Sequence, residues 1–336
     1  MPKRLVDVNP IFDADELVSS LVPPPHFSTV TFDSYHPDPS QPTQGAAVAG
    51  LRAFASWLGD GQGARRRWSR RAPQPPESRP GLYLDGGFGV GKTHLLAALW
   101  NQAPEPKAFC TFVELTHLVG ALGFHQAVER LSHSALLCVD EFELDDPGDT
   151  VLMSTLLGKL ASAGVRLAAT SNTLPDRLGE QRFAADDFLR EIQGLAAHFD
   201  VLRIDGDDYR HRGPPASPMP LGDDAVRRRA AADTHATLDD FSALMDHLAT
   251  VHPSRYGALL ADVSVVCWTS VAPIADQAVA LRLVVLTDRL YDRDVPVIAS
   301  GCPLDEVFDA DMLRGGYRKK YYRALSRLVA LANGAG

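Results

Sequence analysis

A glycine run closed by a lysine and a threonine constrains this chain more than any other feature. Gly86-Gly87-Phe88-Gly89-Val90-Gly91-Lys92-Thr93 satisfies G-x-x-x-x-G-K-[ST], and chemistry explains the spacing. Glycines let main-chain N–H groups wrap a polyphosphate with no Cβ in the way. A helix that begins at the end of the run turns the positive end of its dipole toward the same charge. The lysine then reaches the outer phosphates, and the threonine hydroxyl can ligate magnesium. Such a loop works only between a strand and a helix. Residues 82–85 read as a short strand and residues 93–102 as a helix, so both flanks are of the required kind. The bland alternative is a Gly-rich turn that binds nothing.

A second motif favours the functional reading. Ala135-Leu136-Leu137-Cys138-Val139 is an uninterrupted apolar strand of the sort buried on both faces, and it runs directly into Asp140-Glu141. A carboxylate at the tip of a strand beside a phosphate loop supplies the second anchor for Mg2+, which assigns Asp140 to the metal side, acting through water. Glu141 is the candidate general base that polarises the attacking water. Read alone, the pair could be an acidic loop, since Glu143, Asp145 and Asp146 follow. Together the two motifs point to ATP and Mg2+ as ligands and to hydrolysis. A small-molecule kinase would have to exclude water, and the N-K-x-D segment that reads guanine does not occur. A third apolar strand, residues 165–170, ends in Ser171-Asn172, and Asn172 could orient the lytic water or sense the γ-phosphate. Downstream, Arg177, Arg182, Arg190 and Arg210 are candidates for meeting developing charge on that phosphate.

From residue 81 onward, strands and helices alternate. The expected fold class is therefore α/β, a P-loop NTPase with a parallel sheet in a three-layer sandwich and a smaller C-terminal α/β accessory region. Residues 1–80 read as an irregular N-terminal region with one helix at 48–58, and 81–212 as the ATPase core. Residues 213–237 read as a linker or excursion, and 238–336 as an accessory or lid region. Within the core, strands are expected at 109–113 and 201–204, and helices at 115–131, 150–163 and 188–197.

With 336 residues and a formal net charge of −9, the chain carries no global basic field for nucleic acid. The arginine runs at 65–71 and 227–229 leave a local patch possible, with solvated linker as the plainer reading. Cys110, Cys138, Cys267 and Cys302 form no C-x-x-C pair and sit in apolar stretches, so reduced thiols are expected rather than disulfides or zinc. No apolar h-region follows the N-terminus, and no apolar run approaches the roughly 20 residues that span a bilayer, so the expected location is cytoplasmic.

Several ordered segments resemble the ZapE family of AAA+ ATPases, bacterial cell-division proteins with mitochondrial relatives. The strand with its acidic continuation, Leu137-Cys138-Val139-Asp140-Glu141-Phe142-Glu143-Leu144-Asp145-Asp146 and then Asp149, is similar to the family's L-C-x-D-E-F-x-V-x-D-x-x-D. Ala169-Thr170-Ser171-Asn172, Pro175, Gly179-Glu180-Gln181-Arg182 and Asp208-Tyr209-Arg210 resemble further family segments, as do Arg282-Leu283, Leu290-Tyr291-Asp292 and the ending from Arg323 to Leu328. The resemblance spans about residues 80–330. It implies a Walker A segment at 86–93, a Walker B pair at Asp140–Glu141 and a sensor at Asn172. It also implies an arginine finger at Arg182 reaching a neighbouring subunit of a homo-oligomer with shared sites. Family members are implied to destabilise division-ring polymers with ATP. An ATP-dependent nucleic-acid factor, such as a helicase loader, and a nucleotide-binding scaffold that does not hydrolyse are the competing readings.

Overall fold

The computed structural model describes residues 2–10, 14–65, 79–87, 89–144, 147–178, 188–206 and 217–334. Two compact units divide the chain: Phe12–His211 forms one, and Met1–Ile11 joins Arg212–Gly336 to form the other.

In the larger unit, α1 (Ala14–Ser19) and α2 (Pro42–Arg65) precede β1 (Gly81–Gly86) and α3 (Lys92–Gln102). Then come β2 (Lys107–Thr111), α4 (Phe112–Leu122), α5 (Phe124–Leu131), β3 (Leu136–Asp140) and α6 (Pro147–Ser162). β4 (Arg166–Ser171), α7 (Leu189–Ala196) and β5 (Phe199–Ile204) complete it. The five strands pair in the order β2-β3-β4-β1-β5, and every pairing is parallel. Alternate residues along a strand go to opposite layers. Leu137 and Val139 pack with Leu115, Leu156 and Leu195, whereas Leu136 and Cys138 pack with Leu51, Leu95 and Leu99. This two-sided burial is why β3 is a continuous apolar run, and it makes the unit a three-layer α/β sandwich.

Three details depart from the sequence expectations. The second strand ends at Thr111, not 113, because Thr111 caps α4: its Oγ1 accepts from the Glu114 amide at 3.2 Å and its own amide donates to Glu114 at 2.7 Å. Gly123, at φ 79°, splits the expected helix at 115–131 into α4 and α5. The described residues before position 80 take a larger part in the core than their prolines suggest. Phe32, Leu51 and Leu58 are buried against α3 and the sheet, and the Leu21 carbonyl accepts from the Phe109 amide at 2.8 Å, covering the edge of β2.

The smaller unit holds α8 (Asp223–Ala231), β6 (Ala236–Asp240), α9 (Phe241–Thr250) and α10 (Tyr256–Leu259), followed by β7 (Val265–Val271), α11 (Gln277–Asp292), β8 (Val297–Gly301) and α12 (Arg318–Asn333). Its three strands are parallel in the order β6-β7-β8. One face packs on α9, α10, α11 and α12 and the other on α8. The stretch 213–237, polar in composition, thus contains a helix and the start of a strand. The chain's first residues belong here too. The Leu238 amide donates to the Lys3 carbonyl at 2.9 Å, the amides of Leu5 and Val6 donate to the buried Asp239 carboxylate at 3.1 Å each, and Leu5 is fully buried. Cys110, Cys138 and Cys267 are buried, and none of the four cysteines forms a disulfide. No helix among the described residues is long and apolar enough to cross a membrane.

Candidate active site

The glycine run leaves the end of β1 and enters α3. Gly86 must be glycine because a Cβ there would lie 2.3 Å from the Ile204 carbonyl of neighbouring β5. Gly91, the residue before α3, sits at φ 85°, a left-handed conformation that costs other residues roughly 1–2 kcal/mol. No side chain caps the first turn of α3, so its amides are available to an anion. The Lys92 ammonium donates to the Gly86 carbonyl at 2.8 Å and to Asn172 Oδ1 at 2.8 Å. The loop is thereby tied to the tip of β4.

Thr93 is the second residue of α3 and faces the tip of β3. Its Oγ1 donates to Asp140, 3.0 and 3.2 Å from the two carboxylate oxygens. Asp140 is only 6% exposed, and among the described residues no Lys, Arg or His forms an ion pair with it. Burial first, and then the neighbouring Glu141 charge, push its carboxyl up to about 6. A buried carboxylate without a cationic partner is costly, which suits a site meant to receive a cation. The two oxygen-bearing side chains are hard donors of the kind magnesium accepts, and its remaining positions are ordinarily filled by phosphate oxygens and water. No cluster of three or more His, Cys, Asp or Glu able to hold a metal occurs among the described residues.

Glu141 follows directly at φ 51°, breaking the strand alternation at the point where the carboxylate pair ends. The structure therefore brings together Gly86, Gly87, Gly89, Val90, Gly91, Lys92, Thr93, Asp140, Glu141 and Asn172. Phe88, Arg182 and Arg210 lie outside the described residues, as do Arg66, Arg67, Arg70 and Arg71. Arg227, Arg228 and Arg229 are exposed on α8, in the other unit.

Sequence reasoning missed the segment that leans on the glycine loop from the N-terminal side. The Tyr35 hydroxyl donates to the Val90 carbonyl at 2.9 Å. Ser34 Oγ lies 2.9 Å from His94 Nε2, and the His94 ring lies between those of Phe27 and Tyr35, with centroids 6.4 and 5.9 Å away. Buried Gln44 donates to the Asp205 carbonyl at 2.8 Å and accepts from the Asp38 amide at 2.8 Å. At the root of the loop, buried Asp85 is ion-paired with Arg203 of β5. The only sequence trace of this collar is its aromatic and polar content among prolines, which carries no motif.

These features agree with what similarity to known proteins indicates. The model of the family described as AFG1-like ATPase matches residues 13–227 and 218–335. The chain is 28% identical over 313 residues to the cell division protein ZapE of Escherichia coli strain K12, covering 78% of this chain and 80% of that protein. It is 26% identical over 163 residues to Lactation elevated protein 1 homolog B of Danio rerio, covering 42% of this chain and 32% of that one. Among solved structures, the crystal structure of DnaI superposes with a TM-score of 0.42 at 18% identity, covering 57% of this chain and 98% of that one. The family model matches nearly the whole chain, and the chain belongs to the AFG1-like ATPases.

Proposed function

We propose that the protein hydrolyses ATP to ADP and phosphate and uses the cycle to remodel a protein assembly. The observation that carries the reading is the contact of Thr93 with Asp140, which joins the glycine loop to the acidic tip of β3. In this reading, the loop amides and Lys92 grip the polyphosphate, and Thr93 and Asp140 hold magnesium. When bound, the ion neutralises charge on the β- and γ-phosphates. Glu141 accepts a proton from water as the water oxygen bonds to the γ-phosphorus. The bond from that phosphorus to the β–γ bridging oxygen breaks, and ADP leaves with the electron pair. Asn172, next to Lys92, orients the water or reads the γ-phosphate. Arg182 is the candidate arginine finger, supplied to a neighbouring subunit.

Similarity to a protein named for cell division supports a division-ring polymer as the assembly acted upon. The test has two readouts. Wild type should release phosphate from ATP and Glu141→Gln should not, while still binding the nucleotide. The ATP-loaded Glu141→Gln protein should retain a division-ring polymer on a pull-down. Equal phosphate release by both proteins would remove Glu141 as the base. Retention of DNA instead of the polymer, weakening steeply with salt, would favour the nucleic-acid reading. Mixing Arg182→Ala with Glu141→Gln protein should restore some turnover, and its absence in demonstrated mixed oligomers would remove the shared-site assignment.

A further inference from the structure

We infer that Thr170 is a positioning residue for Glu141, setting the main-chain turn that presents this carboxylate to the site. The inference rests on the ATPase reading and adds a residue to it.

The β3–β4 ladder pairs residues up to Val139 and Ala169. Beyond that point Thr170 replaces ordinary strand pairing with three contacts to successive residues. Its Oγ1 donates to Asp140 Oδ1 at 2.5 Å and accepts from the Glu141 amide at 3.0 Å, and its carbonyl accepts from the Phe142 amide at 2.7 Å. A hydroxyl has one proton to give and lone pairs to receive with. Here the proton goes to the carboxylate, which leaves a lone pair for the Glu141 N–H. Both bonds depend on the one hydroxyl oxygen of a residue that is only 1% exposed.

Glu141 needs this support because its φ of 51° is unfavourable for a residue with a Cβ. Strained backbone of this kind persists only where neighbours over-determine it. The amides on either side of the turn, those of Glu141 and Phe142, are both fixed by Thr170. A branched side chain with a stiff χ1 suits that task. Valine would keep the shape, but it would remove the hydroxyl's bond to the Glu141 amide and its contact with Asp140. The turn would then be free to relax toward extended backbone, moving the base while leaving the phosphate loop intact.

The test compares full-length wild type, Thr170→Val, Thr170→Ser, Thr170→Cys and Glu141→Gln. It measures phosphate release, affinity for a fluorescent ATP analogue with magnesium, and thermal melting. Thr170→Val should lower kcat by about 10- to 100-fold, up to the loss that a misplacement of about 1 Å can cause, with nucleotide Kd within about 3-fold of wild type. Thr170→Ser, which keeps the hydroxyl, should stay within about 3-fold in both. A purely structural role would move melting temperature without separating kcat from Kd. If Thr170→Val does not fold, Thr170→Cys should still show a kcat loss with little change in Kd, since a thiol bonds weakly. Unchanged kcat in folded Thr170→Val, or in Thr170→Cys where valine does not fold, overturns the inference, as does a Kd loss as large as the kcat loss or a Thr170→Ser protein as impaired as Thr170→Val. If Glu141→Gln is inactive while the Thr170 variants turn over normally, only the role of Thr170 fails. If wild type itself releases no phosphate, the ATPase reading fails and takes this inference with it.

Discussion

The ammonium of Lys92 donates to the side-chain oxygen of Asn172 at 2.8 Å, linking two residues 80 positions apart in sequence. The same ammonium is held by the carbonyls of Gly86 and Gly87, so a triphosphate must compete with all three for it. Lys92→Ala should therefore weaken nucleotide binding by about 100-fold, the scale of losing a charged anchor. Asn172→Ala should leave affinity within a few-fold and reduce turnover. Equilibrium titration with a fluorescent nucleotide, beside phosphate release, checks both, and ordinary affinity in Lys92→Ala would contradict the role given to the loop.

Gly91 is constrained twice. Its φ is 85°, and a Cβ there would meet Tyr35 Cε2 at 2.6 Å. Gly91→Ala should thus destabilise the loop by roughly 1–2 kcal/mol from the backbone alone, with a further steric loss against the tyrosine. Nucleotide affinity should fall with it. Adding Tyr35→Ala should recover only the steric share, because the left-handed backbone penalty stays. Full recovery in the double variant would mean that conformation at Gly91 contributes nothing.

The phosphate loop and the Asp140–Glu141 pair were legible because each is contiguous and its chemistry fixes residue type and spacing. The parallel sheet was legible for a similar reason, since runs such as 135–139 are apolar on both faces. What sequence could not supply were features made by distant partners. Tyr35 and Val90, or Gln44 and Asp205, meet across the fold and leave no local pattern. α8 resembles a linker in sequence because its buried face consists of Val226 and Ala230 alone, while the arginines between them are exposed. Thr170 lay inside a recognised segment, yet only its hydrogen bonds single it out.

Asp288 of α11 gives the closing arginines of the chain a structural reason. It accepts from Arg323 at 2.9 Å and from Arg327, both on α12. Burial alone would raise the Asp288 carboxyl, but Arg323 and Arg327 outweigh it and hold the group below its ordinary value. A depressed carboxylate contributes stability that is fully present above its unfolded pKa, about 3.9, and is lost as pH falls through the lower folded value. Asp288→Asn should accordingly destabilise the smaller unit at pH 7 by about 2 kcal/mol, the scale of charge-assisted hydrogen bonds. The deficit should narrow only below about pH 4. Urea unfolding at neutral and acidic pH measures it. A deficit that closes between pH 5 and 7 would assign the effect to another group.

The first residues of the chain are a structural part of the smaller unit. Leu5 is fully buried among Phe241, Leu244 and Trp268, and its amide and that of Val6 satisfy the Asp239 carboxylate at the end of β6. The segment is fastened further by His247 to the Val8 carbonyl at 2.9 Å and by Arg255 to the Pro10 carbonyl at 3.1 Å. Truncating a buried leucine costs about 2–5 kcal/mol, and here it would also loosen two amides from a buried carboxylate. Leu5→Ala should therefore speed amide hydrogen exchange in β6, above all at Leu238, whose N–H is bonded to Lys3. Nucleotide affinity should stay within about 2-fold of wild type, a shift of under 1 kcal/mol, because the phosphate loop belongs to the other unit. Unchanged exchange at Leu238 would mean the segment adds no stability to the sheet edge it lies on.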